Sequence, residues 1–271
     1  MRQYKLFILF IQVVFCVEYL SAGFERTALP AAVVGRGFSG VAFASEQNVW
    51  LNPAALSTVA SFTSSVFYSP SPFQLPQLTN FGLLIADDVG IAKVSASFTS
   101  FGFSLYKETT GSLSFANSDI QNFSFGATLS IYHLSIARYG TAVKSCFDIG
   151  AVYSFTEALS FGAALHNVAG STFGNDDDIP QVVLAGLSYR VIETMVVMVD
   201  LVNDVRYEPT YRVGTEFQPH DIVTLRTGIQ GEPSRLFGGV GIHLSTITVE
   251  YGIATHDDLG LTHSIGVRFT P

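Results

Sequence analysis

Apolar residues alternate with small or polar residues along most of this chain, and this pattern constrains the fold more than any other feature. A typical run reads Tyr211, Arg212, Val213, Gly214, Thr215, Glu216, Phe217. A period of two indicates β-strands that have one apolar and one polar face. Because the pattern recurs from about residue 58 to residue 269, the sequence predicts an all-β fold.

The alternating runs predict fourteen strands. Their expected ranges are 58–69, 76–86, 89–108, 120–131, 132–141, 146–155, 158–168, 180–191, 194–204, 207–218, 221–230, 237–245, 247–256 and 261–269. Most of these runs have the length of roughly 9–11 residues with which a tilted strand crosses a bilayer. An even strand number is typical of bacterial outer-membrane barrels.

The composition favours a membrane location for this β-structure. Charged residues make up only 13% of the chain, about half the usual fraction of a soluble domain. In a bilayer the backbone must form helices or a closed barrel, and no long apolar helix follows residue 22. We therefore predict a transmembrane antiparallel β-barrel over residues 57–271. A soluble β-sandwich is the alternative, but its polar faces would need more than the four lysines present.

The amino terminus has the features of an export signal. Arg2 and Lys5 precede an apolar run at residues 6–17, and the small residue Ala22 follows. This order predicts that residues 1–22 form a secretory signal peptide, cleaved after Ala22. An uncleaved anchor helix would need about 20 apolar residues, and this run is shorter. The expected location is therefore the bacterial outer membrane.

The predicted barrel is wide enough to need a plug or a water-filled channel. Fourteen tilted strands close to a radius of roughly 14 Å, which wall side chains cannot fill. Residues 23–56 lack strand alternation and are the candidate plug, or hatch. Gly35, Gly37 and Gly40 match the G-x-G-x-x-G spacing of nucleotide sites. That site needs a βαβ unit, so we interpret these glycines as a tight turn within the plug.

Seven charged residues fall in the inward phase of the C-terminal strands. They are Arg190, Asp200, Arg212, Glu216, Arg226, Glu250 and Arg268. Charges inside a barrel must be paired or solvated. Two interpretations stay open: a mixed-sign network that holds the plug, or a wet lumen with local ion pairs.

Three sequence motifs resemble the PorV/PorQ family, which is related to FadL-type outer-membrane transporters. They are Trp50 with Asn52-Pro53-Ala54-Ala55-Leu56, then Ala164-Leu165-His166-Asn167-Val168, and then Asp258-Leu259-Gly260-Leu261-Thr262-His263. The resemblance implies an outer-membrane barrel whose hatch includes Trp50, Asn52 and Pro53. PorV-type members serve type IX secretion, whereas FadL-like members admit hydrophobic solutes past an N-terminal hatch.

We expect a non-catalytic membrane protein without a metal or a cofactor. The acidic loop 174–178 and the His256-Asp257-Asp258 turn are interpreted as polar connections rather than metal sites. The net charge of −8 excludes nucleic acid as a partner. The expected partners are outer-membrane lipid, the outer-membrane assembly machinery, and either small hydrophobic solutes or secretion-system proteins.

Overall fold

The computed structural model describes Phe24, residues 29–173 and residues 179–271. Within these residues the chain forms a closed barrel of fourteen antiparallel strands. The predicted fold class, a β-barrel of about fourteen strands, is confirmed. The predicted signal peptide (1–22) and the acidic loop (174–178) lie outside the described residues.

Each strand pairs with its neighbours in the sequence, and the first strand closes the barrel against the last. The strands are β1 (Thr63–Ser69), β2 (Asn80–Asp88), β3 (Lys93–Gly102), β4 (Tyr106–Ile120), β5 (Phe123–Ile136), β6 (Gly140–Ser154), β7 (Leu159–His166), β8 (Val182–Ile192), β9 (Met195–Asp204), β10 (Thr210–His220), β11 (Val223–Gln230), β12 (Arg235–Leu244), β13 (Ile247–His256) and β14 (Gly260–Phe269). At the closure Val66 lies opposite Val267. Closure leaves no unpaired strand edge, as a bilayer requires.

The predicted strand ranges contain two errors that cancel in the count. The run 89–108 is not one strand, because it contains β3, a turn at residues 103–105 and the start of β4. That turn carries exposed Phe103 and Leu105, so Ser104 is its single polar residue. Conversely, the predicted strands 120–131 and 132–141 are largely the single strand β5.

The N-terminal segment, which we define as residues 23–56, forms short helical elements. The described part contains one α-helix, α1 (Ala31–Gly35), and the 3₁₀ turns Glu46–Asn48 and Pro53–Thr58. Two further 3₁₀ turns, Pro72–Gln74 and Pro76–Leu78, lie in the connection between β1 and β2. None of the helices in the described ranges is long and apolar enough to span a membrane.

The two ends of the barrel differ in the length of their connections. One end carries the two longest, residues 70–79 and 167–181, and we call it the long-loop end. The other end carries connections of two to four residues, such as 121–122 and 245–246, and we call it the short-turn end. Such asymmetry is usual in outer-membrane barrels, whose short turns face the periplasm.

The strand alternation separates an apolar outer face from a lumen of small and polar side chains. Outward residues such as Leu113 and Leu201 remain more than half exposed, at 64% and 61%. Inward residues of the same strands are buried, as Ser114 and Asp200 show. An apolar surface this extensive indicates contact with lipid.

Candidate functional site

The N-terminal segment lies in the lumen and contacts the barrel wall on every side. Helix α1 packs against β11, β12, β13 and β14, whereas the Pro53–Thr58 turn packs against β3, β4, β5 and β6. Between these, Val41 and Leu51 form an apolar cluster with Ala164 of β7, Leu184 of β8 and Val202 of β9. The burial of these aliphatic side chains stabilises the segment inside the barrel.

A buried charge network joins the segment to the C-terminal half of the barrel. The Oε2 atom of Glu216 lies 3.0 Å from Nη1 of Arg36 and 2.7 Å from Nε of Arg226. Arg226 also reaches Glu250 at 3.3 Å, and Gln47 of the segment donates to Glu250 at 2.9 Å. Charges buried in this way are tolerated because they are paired and hydrogen-bonded.

Arg36 is the only one of these charged groups that belongs to the described part of the segment. Its side chain is 2% exposed. Burial lowers the pKa of the Arg36 guanidinium, and the carboxylate of Glu216 opposes this by raising it. The ion pair therefore offsets part of the cost of placing this charge in the lumen.

Three other predicted lumen charges also hold the segment. The Asp200 carboxylate accepts hydrogen bonds from the backbone N–H groups of Gly40 (2.7 Å) and Val41 (3.1 Å). Arg212 donates to the carbonyl of Phe38, and Arg268 pairs with Glu46; the respective distances are 3.3 and 3.0 Å. These three contacts join β9, β10 and β14 to the segment. Arg190 is the exception, since it is exposed at the end of β8 and none of the ion pairs found in the described ranges includes it.

Asn52 and Pro53 fix the opposite side of the segment. Nδ2 of Asn52 donates to the carbonyls of Val41 (2.8 Å) and Ala151 (3.1 Å), while Oδ1 accepts from Ala54 N–H (3.0 Å). The side chain thus caps the following 3₁₀ turn, which Pro53 begins, and ties it to β6. This contact explains why a buried asparagine is needed before that proline.

His166, from the second motif of the resemblance, also contacts the segment. Its Nε2 atom lies 3.0 Å from the Leu51 carbonyl oxygen, and its Nδ1 atom lies 3.2 Å from the Asp148 carboxylate. The backbone N–H of Asn167 donates to the same carboxylate at 2.8 Å. The end of β7 is therefore joined both to β6 and to the segment.

The glycines of the G-x-G-x-x-G sequence serve close packing against the wall and a change of chain direction. A Cβ on Gly35 would lie 3.0 Å from Cα of Gly239, and one on Gly37 would lie 3.2 Å from Cα of Gly228. Gly37 and Gly40 have positive φ angles of 68° and 126°. Such angles favour glycine, and they turn the chain away from α1.

A ring of inward glycines on the barrel wall lies against the segment, and the alternation of the sequence alone does not single it out. At each of them an added Cβ would lie less than 3.0 Å from an atom of the N-terminal segment: Gly126, Gly150, Gly162, Gly214, Gly228, Gly239 and Gly252. Each glycine occupies the inward phase of its strand, so the alternation shows that these positions are small but not that the segment packs against them.

An inner cavity lies between the segment and strands β3 to β6. Its volume is about 60 Å³. Trp50 of the segment borders it on one side, and hydroxyl side chains of the wall, such as Thr99, Thr110 and Ser112, border it on the other. Trp50 also packs edge-on against Phe67 of β1, with ring centroids 5.6 Å apart.

A second, mostly apolar pocket of about 170 Å³ opens to solvent beside exposed Tyr139 at the long-loop end of β5 and β6. Leu134, Ile136 and Phe173 line this outer pocket. Between the two cavities Phe24 stacks on Phe173 with centroids 5.0 Å apart, and meets Tyr132 edge-on at 4.8 Å. Tyr132, Leu134 and Ile136 are successive inward residues of β5, so this strand leads from one cavity to the other.

No group of three or more metal-ligating side chains occurs in the part of the chain that the structure describes. His256 accepts hydrogen bonds from the backbone N–H groups of Asp258 and Leu259 within its turn. His263 contacts the hydroxyl of Tyr251 at 2.6 Å. These residues therefore act in turn geometry and strand pairing.

Similar solved structures are channels and transporters with the same barrel. The monoaromatic hydrocarbon channel CymD has a TM-score of 0.68 and 13% identity, over 90% of this chain and 98% of that one. The toluene transporter TodX of Pseudomonas putida gives 0.68 and 11%, over 90% and 97%. A FadL homologue of Pseudomonas aeruginosa gives 0.65 and 12%, over 92% and 99%. No protein-family model and no curated protein matches the sequence.

The chain therefore has the fold of the FadL-type outer-membrane β-barrels. At these identities the likeness concerns the fold, and the chemistry of the lumen must be argued from this chain's own residues. The comparisons do not support the PorV/PorQ assignment that the sequence motifs suggested.

Proposed function

We propose that the protein is a non-catalytic outer-membrane channel for small hydrophobic solutes, with the N-terminal segment as its hatch. The observation that carries this proposal is the pair of cavities along β5, one apolar and open towards the long-loop end, the other bordered by Trp50. The hydrocarbon channels with the same fold support it.

The volumes of the cavities show which part of the protein must move before a solute can pass. The outer pocket of about 170 Å³ is open to solvent and has room for a small ring, since a closed cavity of about 150 Å³ already binds benzene. The inner cavity of about 60 Å³ cannot. A solute can pass inward only when the aromatic contacts of Phe24 open and the segment shifts near Trp50, Asn52 and Pro53.

The anchoring of the segment is uneven in a way that suits this movement. Charged groups hold its Arg36 side through ion pairs with Glu216 and its Gly40 backbone through Asp200. On the β3 to β6 side the contacts are apolar packing, glycine approaches, the hydrogen bonds of Asn52 and, among the described residues, a single carboxylate contact, from Phe24 N–H to Glu108. We infer that the β3 to β6 side opens while the charged side stays fixed.

The proposed location is the bacterial outer membrane, reached after cleavage of residues 1–22. The outward apolar residues contact lipid. The long-loop end faces the outside, because short turns face the periplasm in such barrels. Mass spectrometry of the purified protein tests the cleavage site, since the expected mature chain begins at Gly23.

The test of the transport proposal measures entry of an apolar solute into intact Gram-negative cells. Plain phospholipid bilayers pass such solutes unaided, so the lipopolysaccharide layer of cells gives the better barrier. Cells that produce the protein should take up propylbenzene faster than cells with an empty vector. A variant that lacks residues 23–56 should discriminate less between propylbenzene and other solutes. Equal uptake by producing and control cells would contradict the proposal.

A type IX secretion role of the PorV/PorQ kind is the second candidate. The observation that favours it is the charge network around Glu216, which closes one side of the lumen. In that role the long loops dock a secretion protein, and no solute passes. A strain that lacks the protein would then retain normal propylbenzene entry but lose export of secreted proteins.

A further inference from the structure

We propose that the outward face of strands β3 to β6 binds the phosphorylated glycolipid of the outer leaflet, the lipid A part of lipopolysaccharide. This inference rests on the proposed outer-membrane location with the long-loop end outside. Three observations carry it: these strands rise above the apolar band of the barrel, the raised part carries unpaired cations, and its tips expose aromatic and aliphatic side chains.

Strands β4, β5 and β6 are longer than a membrane crossing requires. They contain 15, 14 and 15 residues, whereas no other strand of the described ranges exceeds 11. A tilted strand needs roughly 9–11 residues to cross the bilayer. About four residues of each of these strands therefore project beyond the hydrocarbon core.

The outward side chains change from apolar to polar towards the long-loop end. The strand register forms one apolar row from Ala96, Leu113, Leu129 and Phe147. The row two steps nearer that end is mostly polar and contains Ser100, Thr109, His133 and Val143. The last row contains Gly102, Lys107, Ser135 and Thr141. We call residues 100–109 and 132–145 the sheet extension, which lies at the level of the lipid headgroups.

The outer surface of the sheet extension is positively charged, although the protein has a net charge of −8. Lys107 is exposed on the outward face, and Arg138 is exposed in the turn between β5 and β6. Neither forms an ion pair with any residue in the described ranges. His133 lies diagonally across from Lys107 and adds a hydrogen-bond donor. The acidic residues described in these strands, Glu108 and Asp148, are buried on the inward face.

The remaining rim of the long-loop end carries the opposite charge. Exposed acidic residues occupy the connections that follow β9, β11 and β13, and none of them forms an ion pair within the described part of the chain: Glu208, Glu232, Asp257 and Asp258. An anionic headgroup is therefore attracted to the sheet extension and repelled from the rest of the rim.

The tips of the sheet extension favour a glycolipid over a small soluble anion. Phe103 and Leu105 in the turn after β3 are 37% and 59% exposed, and Tyr139 in the next long-loop turn is 89% exposed. Aromatic side chains are enriched at the membrane interface, where one part of the ring is covered and the other is wet. The sugar rings of a glycolipid would cover these side chains, whereas an inorganic anion would leave them in water.

The spacing of the two cations fits a lipid with two phosphates. Lys107 lies opposite Ser135, three residues before Arg138, so the two positions are roughly 10 Å apart along the strand. Lipid A carries one phosphate at each end of a disaccharide, and such a unit can span this spacing. The guanidinium of Arg138 offers paired N–H donors to a phosphate, and Lys107 offers a compact charge.

Native mass spectrometry of the purified protein in detergent measures the binding. The probes are lipid A with both phosphates and the same lipid with both phosphates removed. The native protein should bind the phosphorylated lipid at least about tenfold more tightly, because each cation near an anionic lipid surface contributes about fivefold. An excess of inorganic phosphate should not displace it, since the free ion contacts neither the apolar row nor the tips.

A matched pair of double variants tests the role of the two cations. Lys107→Ala/Arg138→Ala should lose the preference for the phosphorylated lipid. Lys144→Ala/Arg190→Ala removes two other exposed cations, one on the inward face of β6 and one at the short-turn end of β8, and should bind as the native protein does. The two variants have the same net charge, so non-specific attraction is equal. Heat-modifiable migration of each variant shows that the barrel has folded.

Equal affinity of the native protein for the two lipids, or an equal loss of affinity in the two variants, would overturn this inference. Displacement of the lipid by inorganic phosphate would overturn it as well. A dimer that forms without lipid and that Lys107→Ala/Arg138→Ala abolishes would show that a second copy of the chain occupies the surface instead.

The uptake of propylbenzene separates this inference from the transport proposal. Uptake without a preference for phosphorylated lipid A would leave the transport proposal standing and remove the lipid site. A preference for phosphorylated lipid A without uptake would support the lipid site and contradict transport.

Discussion

Glu216 occupies a central place in the lumen because one carboxylate oxygen serves two guanidinium groups. It joins Arg36 of the N-terminal segment at 3.0 Å to Arg226 of the wall at 2.7 Å. Removing one partner of a buried charged cluster leaves the others unpaired, which destabilises more than the loss of a surface pair. Glu216 should therefore control how firmly the segment is held.

We predict that Glu216→Gln loosens the segment and raises the single-channel conductance in planar bilayers. The expected destabilisation of the bound segment is about 3 kcal/mol, the usual effect of breaking a buried ion pair. Glu193→Gln removes the same charge in an exposed turn and should leave the conductance at the native value. Native conductance for Glu216→Gln would show that the network does not hold the segment.

The inward glycines also hold the segment, because they leave room for its close approach to the wall; charge plays no part in this contact. At Gly150 a Cβ would lie 2.0 Å from Oδ1 of Asn52, and at Gly126 it would lie 2.5 Å from the carbonyl carbon of Pro53. One extra methyl group would therefore push the segment away from β5 and β6.

Gly150→Ala should weaken the contact of Asn52 with the wall by about 1–3 kcal/mol, the usual effect of overpacking. The measurement is limited proteolysis of the N-terminal segment in the folded barrel, which should become faster. Gly111→Ala is the matched control, because an added Cβ there meets nothing within 4 Å. Equal cleavage rates for the two variants would contradict the close packing at Gly150.

At the scale of elements, the strand that the sequence pattern missed is the one that matters most for the cavity. Strand β4 has Thr109 and Gly111 on its outward face and Thr110 and Ser112 on its inward face, so polarity hardly alternates there. Its polar inward residues line the cavity. Strands that face only lipid and packed lumen alternate clearly and were predicted well, as β13 at 247–256 shows.

The position of the N-terminal segment could be anticipated from its lack of alternation, but its contacts could not. Arg36 and its partner Glu216 lie 180 positions apart in the sequence, and their pairing depends on barrel closure and register. A lumen charge such as Glu250 could be assigned its inward phase from the alternation alone. Its hydrogen bond from Gln47 could not be assigned in that way.

Helix α1 provides a test of which part of the segment moves. A Cβ on Gly266 would lie 3.6 Å from Cβ of Ala31, within the range of about 3.5–4.5 Å that a disulfide requires. In a Cys146→Ser background, the oxidised Ala31→Cys/Gly266→Cys protein should take up propylbenzene at the native rate, before and after reduction. An uptake that depends on reduction would mean that the whole segment leaves, contrary to a fixed charged side.

The whole molecule divides its lumen between an anchored half and a half with cavities. The ion pairs of Arg36 and Arg268 lie towards β10 to β14, whereas the inner cavity borders β3 to β6. The low charge fraction of the sequence reflects the same architecture, since alternate residues face lipid. The charged residues lie mainly in the lumen and the loops.

The barrel as a whole should resist unfolding in detergent at room temperature. We predict that unheated protein migrates faster on SDS gels than boiled protein, and that it fractionates with outer membranes. Both results follow from a closed hydrogen-bonded sheet with an apolar exterior. A soluble β-sandwich would show neither property, and migration unchanged by heating would favour it.

The central claim is that solutes pass between the N-terminal segment and the hydroxyl-lined wall. Propylbenzene uptake by cells that produce Ser112→Phe measures this most directly, because the new ring is larger than the inner cavity, which Ser112 and Trp50 both border, and would block it. Ser100→Phe places the same ring on the outward face of β3 and serves as the control. We predict uptake at the empty-vector level for Ser112→Phe and at the native level for Ser100→Phe; native uptake by a folded Ser112→Phe barrel would contradict the account.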